Sequence, residues 1–373
     1  MPDAVLVTSS FLPGRGGIES HLAELCAALR PRLAVLAPAA RDGQGLPADL
    51  GYPVHAAAGT MLAPTPAVAR AIEAVAEEHG TDRVLWGTPW PLALLGPTLA
   101  DRGLRYAAIV HGAETILPGA VPLLRDRLAA ALGRAELLLP VSEYTAAGVR
   151  ALLESTGHRI PEIALLRPRV DLERFAPGAR RPGLRARLGV DERAAIVLCL
   201  GRLVPRKGVD RLVRAAPALR RRVPRATVVV AGTGPQERRL RRLALRIGAP
   251  VVFGGRVRDE DAPALYADAD VFALPVADRW GGLEVEGLGV VLLEAAACEV
   301  PCVTGRSGGT PEAVLDGATG FVVNAREPDM LVEATARLLV DRDLARRMGR
   351  AGRRHVAATF GGPPPGELLD WLA

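Results

Sequence analysis

Residues 195–234, AIVLCLGRLVPRKGVDRLVRAAPALRRRVPRATVVVAGTG, contain the pattern on which the fold prediction depends. Apolar runs rich in β-branched residues open and close this stretch, and the segment GVDRLVRAAPALRRR between them has apolar residues at helical spacing. Two apolar strands that flank one helix are typical of a parallel sheet, because parallel strands need a crossover connection. We therefore predict an α/β unit in this part of the chain.

The same alternation of strand and helix continues on both sides of this stretch. The predicted strands are AVLVTS, RVLWG, RYAAIVHG and ELLLPVS before it, and PVVFGG, DVFALP, PCVTG and GFVV after it. The segment RPRVDLERFAPGARRPG, rich in proline, glycine and charge, interrupts the pattern as a linker does. A chain of 373 residues also exceeds what one core usually organises. We predict two doubly wound parallel-sheet domains, 1–172 and 173–354, with the tail 355–373 packing back on the first.

The composition limits the cellular setting. No stretch approaches the roughly 20 apolar residues of a membrane span, and the N-terminus lacks a basic region followed by an apolar run. We therefore expect a cytoplasmic protein. Four cysteines lie in apolar segments without spacing suited to a metal or a disulfide, and we expect them to be reduced core residues: Cys26, Cys199, Cys298 and Cys302.

The positive charge is concentrated in the second half of the chain. The net charge is +6, and because residues 1–178 carry 16 basic and 18 acidic side chains, the remaining 31 basic and 23 acidic ones give +8. Such a field is compatible with nucleic acid, an anionic membrane surface or a phosphorylated substrate. The arginine clusters at 220–225 and 238–246 contain no aromatic residues that could stack on bases. We expect solvated helix faces there and no nucleic-acid partner.

Open α/β sheets bind ligands beyond the carboxyl ends of their strands, so the loops at those ends are searched first. Gly16 and Gly17 precede a helix predicted to begin near Ile18, where backbone N–H groups favour an anion such as a phosphate. An ordinary strand-to-helix turn would have the same sequence. His111 directly follows the strand RYAAIV and could bind a hydroxyl or move protons, although taken alone it fits a structural role better.

The loop LGRLVPRKGVD brings two cations to one strand end. Arg202 and Lys207 follow a predicted strand and lead into a helix, and Lys207 is the only lysine of the chain. Fixed cations in this position could neutralise charge that develops on a departing diphosphate. A solvated basic loop is the alternative, and the isolated lysine favours the functional interpretation.

The segment GGLEVEGLGVVLLEAAA is the most specific pattern in the chain. Glu286 and Glu294 are separated by seven residues, with Gly287 and Gly289 at a probable helix start between them. The first N–H groups of that helix could hold phosphate oxygens, while Glu294 is placed to bind the paired hydroxyls of a ribose. A structural role for Glu294 would bury a charge among leucine and alanine without purpose.

The segment AGTGPQE contains part of a dinucleotide-binding fingerprint. The third glycine is missing, and no acidic residue follows at the expected strand end. We interpret the segment as a donor-facing loop. A nicotinamide oxidoreductase remains a rival hypothesis, because tandem Rossmann-like domains serve both chemistries.

The order of these motifs resembles glycosyltransferase family 4 over nearly the whole chain. Its members adopt the GT-B fold, two Rossmann-like domains facing a central cleft, and retain the anomeric configuration of the transferred sugar. Within the family, GGLEVEGLGVVLLEA and HGAE are most similar to the GDP-mannose-dependent phosphatidylinositol-monomannoside mannosyltransferases of actinobacteria. The motifs that carry the resemblance are GGIE, HGAE, VSEY, RVDLERF, GRLVPRKG, AGTGP, GRV, ALYADADVFALP and the two glutamates with seven residues between them.

The resemblance implies a set of site residues. The expected catalytic residues are His111 beside the anomeric carbon, Arg202 and Lys207 on the diphosphate, and Glu286 on the sugar hydroxyls. The expected donor-binding residues are Gly16, Gly17, Gly201, Gly234, Arg256, Val257, Gly287, Leu288, Gly289, Val290 and Glu294. No metal is expected, since the cations take its place.

The resemblance also implies the reaction and the partners. We expect a retaining, metal-independent hexosyltransferase without a cofactor, which transfers mannose from GDP-mannose to a hydroxyl of a glycolipid or small-molecule glycoside. The alternatives are a UDP-sugar used on a soluble or natural-product acceptor, and a catalytically silent sugar-nucleotide-binding protein. Peripheral contact with an anionic membrane, at the inner face of the plasma membrane, is the expected lipid interaction.

Overall fold

A computed structural model describes residues 1–14, 16–41, 44–47, 49–112, 115–116, 119–179, 181 and 183–373. The chain divides into two compact units. The first unit consists of 1–169 and 363–373, and the second of 170–362. A helix continues to Phe360, so the segment that returns to the first unit begins at Pro363, and residues 355–362 belong to the second unit, contrary to the prediction.

The first unit has a parallel sheet as its centre. Within its described residues seven strands pair in the order β5-β2-β1-β6-β7-β8-β9, all parallel. Their bounds are β1 Ala4–Val7, β2 Leu33–Pro38, β5 Val54–Ala57, β6 Arg83–Trp86, β7 Arg105–Val110, β8 Leu137–Pro140 and β9 Glu162–Ile163. A separate antiparallel pair joins β3 Ala40–Arg41 to β4 Gln44–Gly45.

Both faces of this sheet are covered by helices. Val5 and Val7 of β1 belong to one apolar cluster, and Ala4 and Leu6 belong to the cluster on the opposite face. This alternation follows from the two-residue period of a strand and explains why β1 is apolar throughout. The helices are Gly17–Ala28, Pro66–His79, Gly96–Ala100, Pro122–Gly133, Glu143–Thr156 and Gly366–Leu372, with a 3₁₀ turn at Leu92–Leu95.

The segment 363–373 completes the core of the first unit. Leu368, Trp371 and Leu372 of the helix Gly366–Leu372 are buried in the same apolar cluster as Leu6. The indole Nε1–H of Trp371 also donates a 2.8 Å hydrogen bond to the carboxylate of Glu136. The first unit is therefore built from two separate parts of the sequence.

The second unit contains another parallel sheet. Its six strands pair in the order β12-β11-β10-β13-β14-β15 within the described residues. Their bounds are β10 Ala195–Leu200, β11 Ala226–Ala231, β12 Val251–Gly255, β13 Val271–Leu274, β14 Cys302–Gly305 and β15 Gly320–Val323. All six were predicted from the sequence.

The helices of the second unit pack their apolar faces on this sheet. In the helix Val209–Arg222, the buried side chains Leu212, Val213 and Leu219 share one face, and arginines occupy the last turn. The other helices are Leu184–Leu188, Glu237–Arg246, Ala262–Ala267, Val290–Ala297, Thr310–Ala313, Pro328–Val340 and Arg342–Phe360, with 3₁₀ turns at Pro205–Lys207, Asp259–Asp261 and Trp280–Gly282.

Two further observations concern predictions made from composition. The four cysteines are buried and unpaired. Among the described residues, no helix combines the length and the apolarity that crossing a bilayer requires.

Candidate functional site

The candidate site of the second unit lies where the strand order reverses. The chain moves from β10 outward through β11 and β12, then returns to the other side of β10 with β13. The loops after β10 and β13 therefore diverge at the carboxyl edge of the sheet, which is where open α/β sheets bind ligands. Lys207 lies in the loop after β10, and Glu286 lies in the segment after β13.

Lys207 and Glu286 form a buried ion pair. The Lys207 Nζ lies 2.9 Å from Oε2 of Glu286, and the exposed fractions of these residues are only 9% and 7%. A third residue, Arg206, brings its Nε within 3.4 Å of the same oxygen. Two cations thus meet one carboxylate in a largely desolvated setting, where charge interactions are strong.

The cations decide the ionisation of Glu286. Burial alone pushes the pKa of this carboxyl upward, but the positive charges of Lys207 and Arg206 outweigh burial and hold that pKa below its ordinary value. Glu286 is therefore a carboxylate at neutral pH. A buried carboxylate is an acceptor of hydrogen bonds and suits the hydroxyls of a sugar.

The turn that presents Lys207 is fixed by a glycine. Pro205–Lys207 form a 3₁₀ turn that ends at Gly208, whose φ of 66° lies in the left-handed region. A Cβ on Gly208 would stand 1.9 Å from the carbonyl oxygen of Pro275, the residue after β13. Only glycine allows this approach, which brings the loops after β10 and β13 together.

A third loop, 305–310, holds the backbone of Glu286. The N–H of Glu286 donates a 3.1 Å hydrogen bond to Oγ of Ser307, and the N–H of Gly309 donates a 3.1 Å bond to the carbonyl of Glu286. Thr310 in turn donates its hydroxyl to the carbonyl of Gly305, at 2.8 Å. The loop after β14 therefore positions Glu286 without touching its carboxylate.

Gly308 is a position in this loop that cannot carry a side chain unless the backbone of Glu286 moves. Its φ is 52°, and a Cβ would lie 1.9 Å from the carbonyl oxygen of Glu286. We expect Gly308→Ala to lower turnover strongly, because Glu286 must move, and to cost about 2–3 kcal/mol more stability than backbone strain alone. Gly317→Ala is the matched control, since Gly317 also has a left-handed φ of 72° but no atom within 4 Å of its Cβ position.

The control variant distinguishes the cost of backbone strain at a left-handed glycine from the effect of displacing Glu286. Gly317→Ala should cost about 1 kcal/mol, as expected for alanine in the left-handed region, and should leave turnover unchanged. The measurements are urea unfolding and initial rates for both variants. Equal losses of stability in the two variants would contradict the positioning role of Gly308.

Glu294 lies in the helix Val290–Ala297 and is paired with Tyr266. The Tyr266 hydroxyl donates a 2.6 Å hydrogen bond to Oε2 of Glu294. Burial raises the pKa of Glu294 to about 7, although the Tyr266 hydrogen bond and the charge of Arg174 oppose this shift. Unlike Glu286, this carboxyl is balanced between its two protonation states near neutral pH.

The predicted donor-binding turn before Glu294 has the geometry of a helix start. The helix begins at Val290, one residue after the predicted Gly289, which is its N-cap with a φ of 85°. Gly287 and Leu288 precede it, and Leu288 is buried. The N–H groups of this first turn are the ones predicted to hold phosphate, and their donor contacts stay a prediction.

Arg202 differs from Lys207. Its side chain is exposed, and among the described residues it makes no ion pair, so the structure does not bring it to Glu286. The adjoining loop packs closely on this part of the chain, because Cβ atoms on Gly232 and Gly234 would meet the carbonyls of Gly201 and Leu203 at 2.0 and 2.6 Å.

This close approach explains why positions 232 and 234 of the AGTG segment are glycine, so a bound dinucleotide is not needed to account for them. Arg256 is exposed and Val257 is partly buried, directly after β12 at the same edge of the sheet. The donor contacts predicted for these two residues and for Gly201 and Gly234 stay predictions.

The first unit has a second cluster at the carboxyl edge of its own sheet. His111, which follows β7, is 8% exposed, and its Nε2 lies 2.9 Å from the carbonyl oxygen of Gly87, which follows β6. The ring of His21 meets the ring of His111 edge-on, at 5.5 Å between centroids. Burial, followed by the charge of His111, lowers the pKa of His21 to about 3, so His21 is neutral.

The GGIE motif is explained in part by helix capping. The helix begins at Gly17, with Gly16 as N-cap, and a Cβ on Gly16 would stand 2.5 Å from Oε2 of Glu19. The Glu19 carboxylate thus folds back towards the N-cap, as in a capping box. The phosphate contact predicted for Gly16 and Gly17 stays a prediction, and Glu114 of the HGAE motif lies outside the described residues.

Several residues of the two clusters were not selected from the sequence. Arg206 had a visible signal, since it adjoins Lys207 in the same basic loop. The glycine pair of TGRSGGT after a predicted strand was a signal for the loop that contains Ser307. Tyr266 lies in the motif ALYADADVFALP but was not singled out, and His21 had no local signal, because the partners of both are distant in sequence.

Comparison with known proteins identifies the family. The protein-family model described as "Glycosyl transferases group 1" matches residues 181–355. The chain is 42% identical over 358 residues to a protein of Mycolicibacterium smegmatis named GDP-mannose-dependent alpha-(1-6)-phosphatidylinositol monomannoside mannosyltransferase, covering 94% of this chain and 92% of that protein. It is 36% identical to the Corynebacterium glutamicum GDP-mannose-dependent monoacylated alpha-(1-6)-phosphatidylinositol monomannoside mannosyltransferase, covering 98% and 96%.

Solved structures agree on the fold. Anabaena Alr3699/HepE, crystallised with UDP and glucose, superposes with a TM-score of 0.76 at 19% identity, covering 96% of each chain. WaaG, a glycosyltransferase of lipopolysaccharide biosynthesis, gives a TM-score of 0.73 at 20% identity, covering 99% of each chain. The fold prediction is confirmed, and so is the predicted family: the chain belongs to the group 1 glycosyltransferases and has the GT-B fold.

Proposed function

We propose that this chain transfers a mannosyl group from GDP-mannose to a hydroxyl of phosphatidylinositol monomannoside. The observation that carries the proposal is the identity of 36–42% over at least 94% of the chain to proteins of that named activity. The buried pair of Lys207 and Glu286, with the half-buried Arg206 beside it, supports the proposal, because these three residues have the charges that a nucleotide-sugar donor requires.

The charges of the second unit suit each part of such a donor. Arg202 is exposed and can approach the diphosphate, while Lys207 and Arg206 can stabilise the negative charge that grows as the diphosphate departs. Glu286, held as a carboxylate, accepts hydrogen bonds from the sugar hydroxyls. Glu294 takes the ribose hydroxyls, and the first turn of its helix takes phosphate oxygens.

The reaction that fits these groups is a front-face displacement with retention. The acceptor oxygen bonds to the anomeric carbon on the side from which the diphosphate leaves, and the departing phosphate oxygen takes the proton of the acceptor hydroxyl. No nucleophile from the protein is needed. His111 lies at the edge of the other sheet, where we place it beside the anomeric carbon.

A lipid acceptor requires access to a bilayer. We place the enzyme as a peripheral protein at the inner face of the plasma membrane, where it reaches a glycolipid headgroup. The positive charge of the second half of the chain, +8, favours an anionic surface.

The test combines binding and transfer. Calorimetric titration with GDP, UDP and ADP should show that GDP binds at least about tenfold more tightly than the other two nucleotides, a difference of about 1.4 kcal/mol. Incubation of labelled GDP-mannose with phosphatidylinositol monomannoside in detergent micelles should give a dimannoside in the α configuration. UDP-glucose with the same acceptor is the control and should give no product.

Each failure identifies an alternative. Preference for UDP with no transfer from GDP-mannose would move the assignment to a UDP-sugar and a different acceptor. Tight GDP binding without transfer or hydrolysis of GDP-mannose would indicate a silent binding protein.

A further inference from the structure

The loop 279–284 lies next to Glu286 in sequence and closes on itself. The N–H of Arg279 donates to the carbonyl of Glu284 at 3.0 Å, and the N–H of Glu284 donates back at 3.3 Å. The side chains of the same two residues form an ion pair at 2.5 Å. A loop closed by two backbone bonds and an ion pair holds the residues at its tip in one arrangement.

Trp280 stands at the tip of this loop in a strained and exposed conformation. Its exposed fraction is 66%, whereas Trp86 is fully buried. Its φ is 50°, in the left-handed region that bulky residues rarely occupy. Such strain persists where the surroundings enforce it, and it concentrates at functional positions.

The indole is held from one side by a cation. The guanidinium carbon of Arg279 lies 4.5 Å from the centroid of the Trp280 ring, which is a cation–π contact. A large aromatic surface is therefore presented to solvent while one neighbour fixes its orientation. This arrangement is preorganised to stack on a ligand, since little side-chain freedom is left to lose.

A chain of ion pairs joins Trp280 to the proposed sugar site. Arg206 contacts the Glu286 carboxylate through its Nε at 3.4 Å and the Glu284 carboxylate through its Nη1 at 3.8 Å. Glu284 then binds Arg279, which carries the ring of Trp280. Three successive ion pairs thus link Glu286 to Arg279, the residue that holds the indole.

We propose that Trp280 stacks on the pyranose ring of the acceptor glycoside and thereby determines acceptor affinity. This inference rests on the proposed function, in which Glu286 binds the donor sugar. The acceptor hydroxyl has to reach the anomeric carbon, so the acceptor ring has to lie beside the donor sugar. Among the described residues of the second unit, Trp280 is the exposed large aromatic side chain, and the ion pairs above link it to Glu286.

The surroundings favour a sugar over a lipid chain. A pyranose presents a face of C–H bonds, which packs on an aromatic ring, and a rim of hydroxyls, which the charged side chains of Arg279 and Glu284 can meet. An acyl chain in the same place would remove water from these ions without replacing their hydrogen bonds, which is costly.

The test uses two substitutions at Trp280 that distinguish the effect of losing the aromatic ring from the effect of relieving the backbone strain. Trp280→Asn removes the ring and tolerates a left-handed φ, while Trp280→Phe keeps an aromatic face. With phosphatidylinositol monomannoside in detergent micelles, Trp280→Asn should raise the acceptor KM about tenfold and leave the GDP-mannose KM unchanged. Trp280→Phe should stay within about threefold of the unsubstituted chain.

Trp280→Asn is expected to be more stable than the unsubstituted chain, although its acceptor affinity is expected to be lower. Because asparagine relieves the backbone strain, Trp280→Asn should raise Tm by about 2 °C or more, so a loss of acceptor affinity cannot be attributed to poor folding. The control Leu245→Asn removes another exposed apolar side chain of the same unit, 83% exposed in the helix Glu237–Arg246, and should change neither KM.

Four outcomes would overturn the inference. They are an unchanged acceptor KM in Trp280→Asn, an equal rise of the donor KM, an acceptor KM in Trp280→Phe as high as in Trp280→Asn, and loss of binding to phosphatidylglycerol vesicles that contain no glycoside. The last outcome would assign the ring to lipid.

A second readout does not depend on transfer from GDP-mannose. Methyl α-mannoside should quench the tryptophan fluorescence of the unsubstituted chain and not that of Trp280→Phe. If the unsubstituted chain transfers no mannose, the proposed function fails, and this titration still tests Trp280. Equal quenching in both proteins, or none in either, would overturn the stacking role.

Discussion

Replacement of Lys207 by methionine is expected to lower turnover about 100-fold or more, because one donor that stabilises the departing charge is lost. The same change is expected to cost about 3 kcal/mol of stability, since it leaves the buried Glu286 carboxylate with Arg206 as its remaining close cation. Initial rates at saturating donor and urea unfolding measure the two effects separately.

A double variant distinguishes catalysis from folding. Lys207→Met combined with Glu286→Gln removes both charges of the pair, so most of the lost stability should return. Turnover should remain low, because neither the cation nor the sugar-binding carboxylate is restored. If Lys207→Met alone keeps turnover within tenfold of the unsubstituted chain, the proposed role of Lys207 is wrong.

The second large effect concerns pH and Glu294. Burial raises the pKa of this carboxyl from 4.5 to about 7, so the folded chain binds a proton there that the unfolded chain has already lost. The contribution of protonated Glu294 to the stability of the folded chain is complete below pH 4.5 and is lost as the pH rises to about 7. The difference between these two pKa values corresponds to roughly 3 kcal/mol.

Glu294→Gln removes the cost of burying an ionised carboxylate at high pH. Glutamine resembles the protonated acid and still accepts the hydrogen bond of Tyr266. We expect the variant to be more stable than the unsubstituted chain by roughly 3 kcal/mol at pH 8.5 and by little at pH 5, measured by urea unfolding without nucleotide. Glu333→Gln, at a carboxylate that is 66% exposed, should show no such dependence. A gain for Glu294→Gln that is equal at both pH values would refute the prediction.

The strands of the second unit could be predicted because each one is mostly apolar and contains or adjoins a glycine or a proline. In the first unit β2, β5, the short strand β9 and the pair β3 and β4 were not predicted. Although β2 is buried throughout, its sequence LAVLAP contains alanine and proline, which weaken a strand signal. The edge strand β5, VHAA, is only partly buried, so its sequence lacks a clear apolar period.

The residues of the candidate site could also be predicted only in part. Lys207, Glu286 and Glu294 could be selected because unusual residue types stand at strand ends or helix starts. Their partners Tyr266 and Ser307 lie 28 and 21 positions away along the chain, and only the folded sheet brings them together. The glycines of AGTG were predicted to face the donor; their close approach to Gly201 and Leu203 is a packing reason for glycine there, and the donor contact of Gly234 stays a prediction.

The helix Gly366–Leu372 has a consequence for biosynthesis. Its side chains Leu368 and Leu372 fill the apolar layer of the first unit, yet they leave the ribosome only after residues 170–362 have been translated. The earlier unit therefore waits for its closing helix with an uncovered apolar face, which is the kind of surface that chaperones bind and that promotes aggregation.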